Sequence, residues 1–147
     1  MKILLAIDDS KYAETAIDQI IAQTGAQGAE VKVLHAIEPV PVFMDGESWG
    51  YGPKYSVLQK EQEKHAEELV SRCAKTLRAA GCKVTTAVEW GFPKVVILDQ
   101  ASAWHADLIV VGSHGRKGLE HFLMGGVSDA VARHAACSVE IVRPPKH

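Results

Sequence analysis

The sequence predicts an α/β domain built on a doubly wound, mostly parallel sheet of five strands with helices on both faces. Three observations carry that prediction. Short apolar, β-branched runs alternate strictly with stretches whose apolar residues recur every three or four positions, giving the order β-α-β-α-β-α-β-α-β. The run Leu108-Ile109-Val110-Val111 is apolar without alternation, as a strand covered on both faces requires. A chain of 147 residues can bury one full core, so a single domain over 1–147 is expected.

The first strand is Ile3 to Ile7, closed by Asp8-Asp9-Ser10, residue types that start helices. Ala13, Ala16, Ile17, Ile20 and Ile21 form the apolar stripe of a first helix that stops near Gly25. Val31 to Ile37 is a second strand. Glu38 to Tyr55 has no period and holds three prolines, three glycines, Trp49, Tyr51 and Tyr55. A stretch of that length in a small domain is expected to be a functional loop, a lid or a linker. From Ser56 to Ala80 the stripe Leu58, Ala66, Leu69, Val70, Cys73, Ala74 and Leu77 marks a long helix whose other face is charged and solvated. Gly81 ends it, and Lys83 to Glu89 is a third strand. Pro93 opens a helix carrying Val96, Ile97, Gln100, Ala101 and Trp104, since a proline there loses no helical bond. Asp107 to Val111 is the fourth strand, Val127 to Ala135 the last helix, and Ser138 to Val142 the fifth strand, stopped by Pro144-Pro145.

A net charge of −2 gives no reason to expect nucleic acid or an anionic membrane as partner. Cys73, Cys82 and Cys137 lack CxxC spacing and read as small apolar groups in a reducing compartment. The opening apolar run is cut by Asp8 and Asp9, too short for a signal segment or a membrane span, so a cytoplasmic location is expected. The histidines show neither H-x-x-x-H nor H-E-x-x-H spacing, and no metal site is expected. No G-x-S-x-G elbow accompanies the serines, and no residues read as built for catalysis.

Between the fourth strand and the last helix lie five glycines, at 112, 115, 118, 125 and 126. Glycine permits positive φ and a close backbone approach. A glycine loop leading into a helix N-terminus presents bare N–H groups and the positive end of a dipole, which together suit phosphate. In doubly wound sheets ligands bind beyond the carboxyl ends of the strands where the strand order reverses, so Asp8 and Gly112 should flank the crevice. Asp8 would accept from a ribose hydroxyl or help hold a cation beside phosphates; its competing role is a helix cap worth about 1 kcal/mol. The loop is neither the dinucleotide fingerprint nor a P-loop, since the first strand is followed by Asp-Asp-Ser and no G-K-[ST] occurs.

Gly112-Ser113-His114-Gly115, nine residues, then Gly125 resembles the G-2x-G-9x-G-[ST] motif of the universal stress protein family. The opening Ile3 to Ser10, the strand Val33-Leu34-His35-Ala36 and the ending Arg133 to Arg143 are similar to that family as well. The resemblance implies a Rossmann-like sheet in the order 3-2-1-4-5 and a homodimer paired through Ser138 to Val142. It also implies ATP, ADP or AMP as ligand, with Mg2+ as a counter-ion. By position, Asp8 would touch ribose and the Ala36 backbone would read adenine. Gly112, Gly115, Gly125, Gly126 and Val127 would cradle phosphate through their N–H groups. The motif has Ser or Thr where this chain has Gly126, and Ser128 could supply a hydroxyl instead. The implied function is a dimeric adenine-nucleotide sensor in stress response, acting on a protein partner the sequence does not identify. The alternatives are a dimeric scaffold that binds no nucleotide, and an adenylating enzyme of the related superfold. Against the enzyme, the chain lacks an S-G-G-x-D-S-type loop after its first strand.

Overall fold

The first strand, β1 (Lys2–Ala6), sends alternate side chains to opposite faces, and both faces are buried. Ile3, Leu5 and Ile7 enter one core with Ile17, Ile20, Val70 and Leu77; Leu4 enters the other with Leu34, Ile97, Ile109 and Val131. The remaining elements are α1 (Tyr12–Thr24), β2 (Glu30–Ile37), α2 (Pro53–Ala79), β3 (Lys83–Trp90), α3 (Pro93–Trp104), β4 (Leu108–Gly112), α4 (Gly126–His134) and β5 (Ser138–Val142). This computed structural model describes residues 1–8, 12–25, 28–39, 53–113 and 125–143.

All strand pairs are parallel, in the order β3-β2-β1-β4-β5. Helices α1 and α2 cover one face, α3 and α4 the other, so the doubly wound sheet stands as expected. In β4, Leu108 and Val110 face the first core while Ile109 and Val111 face the second. That is the two-sided burial read from its unbroken apolar run.

The helix boundaries differ from the expected ones by a few residues. The long helix begins at Pro53, three residues before Ser56, because proline's fixed φ suits a first turn. Its expected stripe is buried only from Ala66 onward, and Leu58 is 46% exposed. The cause is length. A helix of 27 residues runs about 40 Å, whereas eight-residue strands run about 26 Å, so its first turns overhang the sheet. Most of the unpatterned stretch from Glu38 to Tyr55 lies outside the described residues.

The glycines between β4 and α4 that the structure describes do not use the positive φ open to glycine. Positive φ occurs at Gly25, Gly28, Gly81 and Gly91, which lie in the turns around the helices and strands, and not at Gly112, Gly125 or Gly126. Gly112 closes β4, Gly125 is the N-cap of α4 at φ −62°, and Gly126 is the first residue of that helix.

Candidate functional site

The strand order reverses at β1. Its connection through α1 leads to β2 on one side, while β4 lies on the other. The crevice between the carboxyl ends of β1 and β4 is thus the switch point where doubly wound sheets bind ligands. The last β1–β4 pair is Leu5 with Val110, so Asp8 and Gly112 both extend past it on the same rim. The last β1–β2 pair is Ala6 with Leu34; Asp8 and Ala36 each lie two residues beyond it. Asp8 and Ala36 are half-buried there, as is Gly112. Three of the expected site residues therefore meet on one rim through backbone register alone.

Beyond that pair, two further bonds keep the strands together. The Ile7 N–H donates to the Leu34 carbonyl at 2.9 Å. The His35 ring donates from Nδ1 to the Ile7 carbonyl at 2.7 Å, which fixes the proton on that nitrogen because a carbonyl only accepts. His35 thereby ties the residue before Asp8 to the residue before Ala36. Sequence reasoning gave His35 no role; the only signal was a polar ring at the end of a buried strand.

At the other end stands α4. Gly125 has no side chain to cap it, and the first bond inside the helix runs from the Asp129 N–H to the Gly125 carbonyl at 3.0 Å. The N–H groups of Gly126, Val127 and Ser128 precede that ladder and carry the positive end of the helix dipole. A Cβ added to Gly126 would meet no heavy atom within 4 Å, so a side chain fits there.

Two expected phosphate donors are engaged elsewhere. The Gly125 N–H donates to the Ser113 carbonyl at 2.7 Å. Ser128, 2% exposed, directs its hydroxyl to the same Ser113 carbonyl at 3.1 Å and to the Gly125 carbonyl at 3.0 Å. Gly115, Gly118, Arg116, Lys117, His114 and His121 lie outside the described residues. Among the described residues no group of His, Cys, Asp and Glu is disposed to hold a metal ion, and no helix is long and apolar enough to cross a membrane.

The sequence profile described as the Universal stress protein family matches residues 1–143. The chain belongs to the universal stress protein family. A Staphylococcus aureus (strain USA300) chain bearing the universal stress protein name is 33% identical over 144 residues, covering 96% of this chain and 82% of that one. Among solved structures, the hypothetical protein MJ0577 superposes with a TM-score of 0.83 at 27% identity, covering 99% of this chain and 97% of its own. UspA from Lactobacillus plantarum superposes with a TM-score of 0.82 at 23% identity, covering 97% of each chain. Family members solved with a nucleotide share the fold at 19–23% identity. An Archaeoglobus fulgidus protein with dAMP has a TM-score of 0.63 at 21% identity, covering 97% of each chain. An Arabidopsis thaliana protein with AMP has a TM-score of 0.61 at 19%, covering 99% of this chain and 92% of its own. A universal stress protein with cAMP has a TM-score of 0.62 at 23%, covering 97% and 95%.

Proposed function

We propose that this universal stress protein binds an adenine nucleotide in the crevice between β1 and β4 and acts as a dimeric sensor with little or no turnover. The observation that carries the reading is the start of α4, with no side-chain cap at Gly125, on the rim that also holds Asp8, Ala36 and Gly112. The N–H groups of Gly126 and Val127 would hold phosphate, with Gly112 and Gly115 letting the backbone approach it. Asp8 would accept from a ribose hydroxyl, and the Ala36 backbone would read the adenine edge. Mg2+ would accompany ATP as a counter-ion of its phosphates. The cAMP, dAMP and AMP bound by structural relatives support this ligand class.

The dimer would form through β5, an edge strand of the sheet. The Val142 carbonyl accepts from Ser113 toward β4 at 2.8 Å. Strand alternation then turns the backbone groups of Val139 and Ile141 toward the open side, where a second copy would pair. One observation favours the alternative of a nucleotide-free scaffold: the Gly125 N–H and the Ser128 hydroxyl are both engaged within the chain.

Calorimetric titration of nucleotide-stripped protein with ATP, ADP and AMP, with and without Mg2+, separates the two. Micromolar binding is the expected result, and no heat with any of the three would leave the scaffold. Sustained release of ADP or pyrophosphate would move the assignment to an enzyme.

A further inference from the structure

Ser128 is one of only two buried polar residues among those described, the other being Ser113, and a hydrogen bond joins the two. Ser113 sits just past β4, and its N–H is fixed to β5 through the Val142 carbonyl at 2.8 Å. Its carbonyl uses both lone pairs, one for the Gly125 N–H at 2.7 Å and one for the Ser128 hydroxyl at 3.1 Å. That hydroxyl has a single proton, which it shares with the Gly125 carbonyl at 3.0 Å, a back-bond of the kind serine makes early in a helix. The chain before residue 114 and the chain after residue 124 are thereby locked to each other, and both are locked to the edge of the sheet.

We infer that Ser128 is a positioning residue for phosphate: it sets the first turn of α4 at the carboxyl end of β4 and does not itself contact the ligand. The inference rests on the nucleotide reading given above. The hydroxyl of this buried residue already shares its one proton between two carbonyls and has none left for a phosphate oxygen. What it supplies is preorganisation. With the first turn held, the N–H groups of Gly126 and Val127 stand in place before a ligand arrives, and binding does not have to order them. The base and ribose end, at Asp8 and Ala36, is built from β1 and β2 and does not depend on this clasp.

Ser128→Ala removes the clasp and leaves no carbonyl stranded, since Ser113 keeps the Gly125 N–H and Gly125 keeps the Asp129 N–H. The variant is therefore expected to fold, with cooperative unfolding as the check. Two readouts are compared in wild type and variant: amide exchange at Gly125 without nucleotide, and titration with AMP and with adenosine. The expected result is faster Gly125 exchange, AMP affinity lowered about fivefold, the scale of one net hydrogen bond, and adenosine affinity unchanged. Unchanged Gly125 exchange overturns the clasp. Equal losses for AMP and adenosine make Ser128 merely structural. An AMP loss without faster exchange returns the hydroxyl to a direct ligand role. If wild-type protein binds no AMP, the nucleotide reading falls and this inference with it. Normal wild-type binding beside an unaffected variant overturns the inference alone.

Discussion

Replacing Gly126 with serine tests the proposed phosphate end most directly, because the structure makes room for the side chain and the motif the sequence resembles has a hydroxyl there. Gly126 is exposed, opens α4 and keeps a φ outside the left-handed region, and an added Cβ meets nothing within 4 Å. Gly126→Ser therefore costs no packing, and the helix gains a few tenths of a kcal/mol from serine's better propensity. A hydroxyl donating to a charged phosphate oxygen contributes about 1.5–3 kcal/mol. Ordering one short side chain offsets part of this, which leaves a gain in affinity of about tenfold. The assay is titration of wild type, Gly126→Ser and Gly126→Ala with ATP, AMP and adenosine. Serine should tighten ATP and AMP but not adenosine, and alanine should tighten none of them. An equal gain for adenosine, or the same gain from alanine, would refute the placement of phosphate at this helix start.

Asp8→Asn should weaken adenosine, AMP and ATP alike by about tenfold, the scale of a hydrogen bond to a charged acceptor; selective loss of ATP would put Asp8 on a phosphate-bound cation instead. Ile141→Pro removes an N–H from the open side of β5 and leaves the ladder to β4 intact; sedimentation should show a folded monomer, and a persisting dimer would mean that another surface pairs. Burial pushes the Cys73 thiol above its ordinary 9.0, against the lowering influence of Arg72. The folded state thus holds that proton more tightly than the unfolded one. The stabilisation is complete below 9.0 and is lost as pH rises through the higher folded value. Denaturant midpoints should fall as pH rises past 9.0, and less so in Cys73→Ala; parallel curves for the two proteins would remove Cys73 as the cause.

The sheet was legible because its information is local. The unbroken apolar runs of β1 and β4 and the three-four spacing in α1 each fix an element without knowledge of its neighbours. Strand order needed the family resemblance, since alternation of elements does not say which strand lies beside which. The site was legible by halves. Asp8, Ala36 and Gly112 reach one rim because parallel register carries sequence position directly into space. The donors expected at the start of α4 do not follow that logic. Spacing identifies a glycine or a serine, but whether its N–H or O–H faces outward depends on which carbonyl folds against it. Ser113 is that carbonyl for both Gly125 and Ser128, across twelve and fifteen residues. His35 is the same case at the other end, joined to Ile7 across 28 positions. In both places a residue at a strand end fixes the backbone of a neighbouring segment on the rim of the candidate site. The variants that separate binding from positioning are therefore those at Ser128 and His35. His35→Asn keeps a donor at the δ position and should retain adenosine affinity, whereas His35→Leu leaves the Ile7 carbonyl without its partner and should lower it about tenfold. Equal affinities for these two variants would show that the Ile7 bond does not set the base end of the site.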